Sequence, residues 1–257
     1  MYVNALLSFA TQELEVIPKN PWQGLHIEVS QEVTRVPWTD LQLQTLFSQP
    51  LHQSYAVPPE ERSGGGPATY WIPLLGLYTG ARITELAQLR VSDITEADGV
   101  PVIRITDEGE GQKVKTTGSR RSLPVHSELI RLGLLDYAEG LRQENPDGSL
   151  WPLLQNPKLM SAWFGRYRKS IPGLEGKWLD FHSLRHTVRT KLAKAGVAEK
   201  TMDAITGHVD GGSTGRRVYT HLDMEDLQQA IEQLSYGSID LQRVYPPTRP
   251  NKPTESL

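Results

Sequence analysis

The chain is 257 residues long, 38% hydrophobic and 22% charged, with no cysteine and a formal net charge of -3. That length can bury a sizeable core in one large domain or two small ones. A cysteine count of zero excludes a disulfide framework, a thiol nucleophile and cysteine-bound zinc. No apolar run approaches bilayer-spanning length, and no basic region followed by an apolar core opens the sequence, so the reading is a cytoplasmic protein with no membrane partner. The charge is unevenly spread. Residues 111–221 hold 18 Lys and Arg against 10 Asp and Glu, while the remainder is strongly acidic. Such a block is either a solvated face or a surface for a polyanion.

In chain order, residues 2–17 read as a helix with apolar positions largely on one side, stopped by "PKNPWQGL". "WTDLQLQTLF" opens like a capped helix, with Thr39 or Asp40 near the N-cap. "PATYWIPLLGLYTG" predicts a buried apolar helix, kinked or restarted at Pro73 and terminated by Gly80. A second short helix is expected over "ITELAQLRVSDI", with Arg82 at the junction between the two. "PVIRIT" and "RSLPV" alternate like short strands joined by a basic, turn-rich connection. Helices are expected near 127–143, 158–170, 181–195, 199–206 and 223–235. A proline-rich, flexible tail closes the chain.

Several stretches carry side chains suited to phosphate chemistry. In "DFHSLRHTVRTKL", Leu184, Val188 and Leu192 recur every fourth residue as a buried stripe, which sets His182, Arg185, His186 and Arg189 along its border. His182 and His186 also have the i, i+4 spacing of zinc helices, but no glutamate follows His182, and no metal is expected. In "TGARITEL", Arg82 and Glu85 form either a structural ion pair or a phosphate clamp oriented by a carboxylate. "KVKTTGSRRSLPV" puts Lys113 and Lys115 on one side of a turn and Arg120 and Arg121 on the other. "GHVDGGSTGRRVYTH" surrounds Tyr219 with Arg216, Arg217 and histidines, although a tyrosine holds its proton to about pH 10.

Taken singly these signals are weak; their order is specific. "TGARITEL", "KTTGSRRSLPV", "HSLRHT", "ITGH" and "VYTH", in this sequence, resemble the tyrosine recombinases of the phage integrase family from about Thr39 to Leu234. The resemblance implies a mainly α fold with a small antiparallel β-sheet, the catalytic fold of these DNA breaking-rejoining enzymes. It implies site-specific recombination of a mobile element through a 3′-phosphotyrosyl intermediate, without cofactor, ATP or metal. By the same resemblance Arg82 and Arg185 grip the scissile phosphate, Tyr219 is the nucleophile and Lys115 the general acid. His182 assists proton transfer, His208 hydrogen-bonds the phosphate, and Glu85 supports the arginines. Lys113, Arg120, Arg121, Arg216 and Arg217 are the expected DNA contacts.

The implied partners are a double-stranded DNA attachment site, further copies of the chain in a tetramer joined through the C-terminal segment, and accessory DNA-bending proteins. A bacterial or phage origin and association with the nucleoid follow from the same likeness. The expected domains are a remnant helix and linker over 1–34, a catalytic domain over 35–236 and a tail over 237–257, with the opening helix displaced or self-associating. The spacing from His208 to Tyr219 is eleven residues, longer than the family commonly has, and Lys113 rivals Lys115. Alternatives are type IB topoisomerase-like relaxation and a DNA-binding relative without catalysis.

Overall fold

The computed structural model describes residues 2–24, 35–58, 65–114, 117–176, 178–208, 222–243 and 245. Two compact units are present, residues 1–34 and 35–257. In the first, helix α1 (Tyr2–Gln12) ends well before residue 17. Asn20 closes the turn after it by donating to Asn4 Oδ1 and Ser8 Oγ. Leu6 and Phe9 on α1 are 65% and 50% exposed, so this helix leaves apolar side chains in solvent.

The second unit is organised around one helix. After α2 (Asp40–Phe47) and the single turn α3 (Pro50–Gln53), α4 (Pro67–Thr79) is buried from Ala68 to Thr79. A helix apolar on every side must lie in the core. Thr39 caps α2 through a reciprocal box with Gln42. α4 runs through Pro73 as a single element, in contrast to the expected restart, and Gly80 ends it with φ +64°. Gly76 lets α9 (Phe181–Lys194) approach, because a Cβ there would lie 2.4 Å from the Phe181 ring.

α5 is shorter than expected (Ile83–Ala87), and a 3-10 turn covers Val91–Asp93. The sequence reading carried helix through Ile94; instead β1 (Ile94–Ala97) begins there. Asp98 and Gly99, at φ +52° and +77°, turn β1 back into β2 (Val100–Ile105). An Asp-Gly pair is a hairpin signal of the kind that could have located β1. β3 (Arg121–Pro124) completes an antiparallel β1-β2-β3 sheet that aligns Ile94, Ile103 and Leu123 on its buried face.

The helix expected over 127–143 is two helices, α6 (Ser127–Arg131) and α7 (Leu134–Glu144), because Gly133 breaks it at φ +97°. α8 (Pro157–Lys169), α9, α10 (Glu199–Thr206) and α11 (Met224–Ile231) follow. α11 buries Ala230 and Ile231 in its own unit, and Glu232 accepts from Ser127 N and Oγ at 2.8 and 2.6 Å. The tail expected to be flexible from residue 237 is partly anchored. Leu241 is buried, its carbonyl accepts from Arg131, and Tyr245 packs against Tyr55, Trp71 and Tyr137. Apolar side chains at 239, 241 and 245 give that segment something to bury.

Candidate functional site

Three helix ends build the site: the C-terminus of α4, the N-terminus of α5 and the C-terminus of α10. The last carbonyls of a helix have no intrahelical donor and carry the negative end of its dipole. At α10, three successive carbonyls are met by three different guanidinium groups. Arg121 Nε donates to Ile205 O at 2.9 Å, Arg185 Nη1 donates to Thr206 O, and Arg82 Nη2 reaches Gly207 O at 3.4 Å. Arg185 Nη1 also donates to Gly80 O at 3.1 Å, tying α9 to the end of α4. Gly207 adopts φ +64°, and a Cβ on it would sit 2.6 Å from Arg121 Nη1, so glycine is required on both counts.

Glu85 is the carboxylate among these cations. Its Oε1 accepts from Arg82 Nη1 at 2.6 Å, and its Oε2 accepts from Arg82 N and Arg121 Nη2, both at 2.9 Å. Burial pushes its carboxyl up, but Arg121 and Arg82 outweigh that and hold it below the ordinary carboxylate range. One carboxylate does not balance three guanidiniums. Arg185 falls to about 10, by burial first and then by the neighbouring Arg82 and Arg121, with Glu85 opposing; it remains a cation at neutral pH. Its Nη2 is buried and donates to no partner among the described residues. A buried charged donor without an acceptor is costly, and an anion would satisfy it.

The sequence placed Arg185 on the border of the α9 stripe; it is only 4% exposed, drawn inward by the carbonyls of Gly80 and Thr206. Leu184, Val188 and Leu192 are fully buried as the spacing required. His182 is half-exposed at the start of α9, 5.3 Å from His186 between ring centroids. Asp180 caps this helix by accepting from Ser183 N at 2.8 Å and pairs with Arg35 at 2.9 Å. Burial, then Arg35, His186 and Arg185, lower His182 to about 4 against the opposing Asp180, so the imidazole is neutral at pH 7. His208 follows Gly207 with its side chain exposed, its N–H donating to Asp203 O at 3.0 Å. Arg82, Glu85, Arg185 and the turn before His208 are thus brought together.

The expected DNA contacts divide. Lys113 is exposed on the β2–β3 connection, its backbone fixed by the Gln88 side chain. Arg120 is exposed and pairs with Asp107 at 2.5 Å. Arg121, expected at the DNA surface, has a side chain only 8% exposed, with its donors directed to Glu85, Ile205 O and Ser119 O. Its position corrects that expectation: the guanidinium faces inward because a carboxylate and two orphan carbonyls lie there. Lys115, Arg216, Arg217 and Tyr219 lie outside the described residues. Sequence reasoning missed Arg35, whose only signal was its charge, and Asp180, which the Asp-x-x-Ser cap could have marked. Among the described residues no group of acidic or histidine side chains could hold a metal, and no helix is long and apolar enough to cross a membrane.

Known proteins with this architecture were found by sequence and by structure. The chain is 28% identical over 235 residues to tyrosine recombinase XerC of Caldanaerobacter subterraneus subsp. tengcongensis, covering 89% of this chain and 59% of that protein. It is 29% identical over 158 residues to tyrosine recombinase XerD of Corynebacterium glutamicum, covering 59% and 47%. The chain thus spans about half to three fifths of the length of the curated relatives it matches. Among solved structures, the Tn1549 transposon integrase in complex with transposon right-end DNA superposes with a TM-score of 0.55 at 22% identity, covering 90% of this chain and 76% of that one. A lambda integrase dimer bound to a core site gives a TM-score of 0.54 at 19% identity, with 80% and 70% covered. These likenesses establish a helix-rich catalytic fold with a small antiparallel sheet. The match to the phage integrase family itself spans residues 68–226, from the start of α4 into α11 and across every element that meets at the α10 turn, and the chain belongs to that family.

Proposed function

We propose that the chain carries out site-specific DNA recombination by transesterification at a phosphodiester. The observation that carries this reading is the cation excess at the α10 turn, where Arg185 holds a buried donor without a partner. That arrangement suits a phosphate whose non-bridging oxygens gain charge as phosphorus becomes five-coordinate.

In this reading Arg82 and Arg185 receive the two non-bridging oxygens, and His208 donates to one of them. The Tyr219 oxygen attacks phosphorus, forming a tyrosyl phosphodiester as the bond to the 5′ oxygen breaks. The tyrosine proton passes towards His182, whose neutral imidazole can accept it. Lys115 protonates the departing 5′ oxygen. Attack by the 5′ hydroxyl of a second strand reverses these steps and regenerates Tyr219, so no bond energy is lost to water.

The natural substrate is an attachment site at the boundary of a mobile element, engaged by several copies of the chain. Lys113, Lys115, Arg120, Arg216 and Arg217 contact its backbone. The test starts from a pool of duplexes with a randomised core. Protein-linked strands are recovered under denaturing conditions and sequenced. The parent should enrich one sequence class as a covalent adduct, and Tyr219→Phe should bind the enriched duplex while forming none. An adduct formed by the phenylalanine variant would move the nucleophile elsewhere. Relaxation of supercoils by monomeric protein, without strand exchange, would replace recombination by topoisomerase-like activity.

A further inference from the structure

We infer that Arg121 is a positioning residue for the phosphate-binding arginines: it fastens Glu85, and through it Arg82, to the C-terminal turn of α10. The inference rests on the recombinase reading for its catalytic consequence. Its physical basis is the way one planar group is used. Arg121 donates to Ser119 O at 2.8 Å in the β2–β3 connection, to Glu85 Oε2 at 2.9 Å in α5, and to Ile205 O at 2.9 Å in α10. Three elements far apart in sequence are therefore held by one side chain, and the fork geometry of a guanidinium is what makes three directed bonds available.

The consequence runs through Glu85. Both of its oxygens are occupied, one by Arg82 Nη1 and the other by Arg82 N and Arg121 Nη2. Without Arg121, the carboxylate is held by Arg82 alone and can turn about its side-chain torsions, and Arg82 turns with it. The α10 turn loses its anchor at Ile205 O, immediately before the carbonyls that hold Arg185 and Arg82. Gly207 supports the same assignment, since any side chain there would strike Arg121 Nη1. Arg121 does not itself reach the phosphate; it sets the position of groups that do.

The test uses the full chain and the duplex enriched above. Arg121→Lys keeps the charge and loses the fork, while Arg121→Gln loses both. For the lysine variant, the rate of adduct formation at saturating duplex should fall about tenfold to a hundredfold, the range that small misplacements of reacting groups produce. Duplex affinity and its salt dependence should stay at parent values. Arg121→Gln combined with Glu85→Gln should be no slower than the slower single variant, because both act through one linkage.

An unchanged rate with weaker binding, and a salt slope reduced by about one, would overturn the inference and make Arg121 a phosphate contact. Multiplicative losses in the double variant would also overturn it. Thermal unfolding of each variant accompanies the rates, and if Arg121→Gln does not fold, the lysine variant decides. If the parent itself forms no adduct, the recombinase reading falls and the fastening is judged without activity. Carbon-detected titration should then show the Glu85 carboxyl rising in Arg121→Lys, and an unchanged titration would overturn the inference.

Discussion

The two ends of α4 bury titratable groups in opposite ways. At its N-terminal end, Tyr70 and Trp71 join Tyr55, Tyr137, Trp151 and Tyr245 in a continuous aromatic cluster, with ring centroids 4.8 to 5.9 Å apart. His52 extends it, 4.7 Å from Phe47 and 5.5 Å from Tyr70. Here burial removes charge: His52 is lowered to about 3, against a backbone contact at Tyr70, and Tyr70 is raised to about 12 against Arg131. At the C-terminal end, beyond Gly80, three guanidiniums and one carboxylate gather at the end of α10. The difference lies in what faces them. Aromatic rings supply no acceptors in the plane of an imidazole, whereas the end of α10 supplies three carbonyls in a row. A helix C-terminus lets a protein concentrate cations that would otherwise be expelled or neutralised.

The sharpest way to break this comparison is to remove the cation that has no acceptor. Arg185→Met keeps a long apolar stem and deletes the guanidinium. Adduct formation should drop by at least a hundredfold, as for loss of one donor to a developing oxyanion. Duplex affinity should change much less, since the exposed lysines and arginines remain. If methionine at 185 leaves the rate within a few-fold of the parent, the charged end of α4 is structural after all, and the two ends differ only in composition.

The aromatic end makes the opposite demand. Unfolded His52 titrates near 6.5 and folded His52 near about 3, so as pH falls the unfolded state takes up the proton first. Its contribution is therefore complete above pH 6.5 and is lost progressively towards pH 3. Stability should fall by about 1.4 kcal/mol per pH unit through this window, or about 2 kcal/mol at pH 5, from His52 alone. His126, His182 and His186 are also lowered and act in the same direction, so the comparison is between the parent and His52→Phe in denaturant melts at several pH values. The parent curve should fall relative to that of His52→Phe as pH drops below 6.5, whatever their offset at neutral pH. Parallel curves would mean that His52 is not held neutral by the rings.

Much of this contrast was legible before the structure. Gly80 as a helix stop, Thr39 as a cap and the Leu184–Val188–Leu192 stripe follow from local chemistry, and the order of the basic motifs indicated which arginines and histidines to watch. What escaped is of two kinds. β1 was missed although its Asp98–Gly99 turn is a local signal, because the expected helix ran into its first residue, Ile94, and Gly133 splits a helix whose apolar spacing carries on past it. The convergence of Arg82, Arg121 and Arg185 on the carbonyls of residues 205–207 has no signature at all, since every residue type presents a carbonyl. For that reason Arg121 read as one more surface cation. The tail failed for a different reason: its prolines announce an extended chain, but Leu241 and Tyr245 still find the core.

The smallest expected effect separates the two ends by titration alone. His182 lies half-buried at the start of α9, lowered first by burial and then by Arg35, His186 and Arg185, while His52 is lowered by burial. An anion added at the α10 turn would offset the arginine's repulsion and favour the His182 imidazolium, but it cannot reach the aromatic cluster. Proton resonances of both rings, followed with and without sulfate at constant ionic strength, should show His182 rising from about 4 by about one unit, in line with a nearby opposite charge. His52 should stay where it is. A shift of equal size at both histidines would mean that sulfate acts on the protein as a whole through its general exclusion from the surface. No shift at either would mean that the unpaired donor of Arg185 does not draw a divalent anion to within reach of His182. The selective rise of His182 alone would identify the charged end as an anion site whose occupation also makes the neighbouring imidazole a better base.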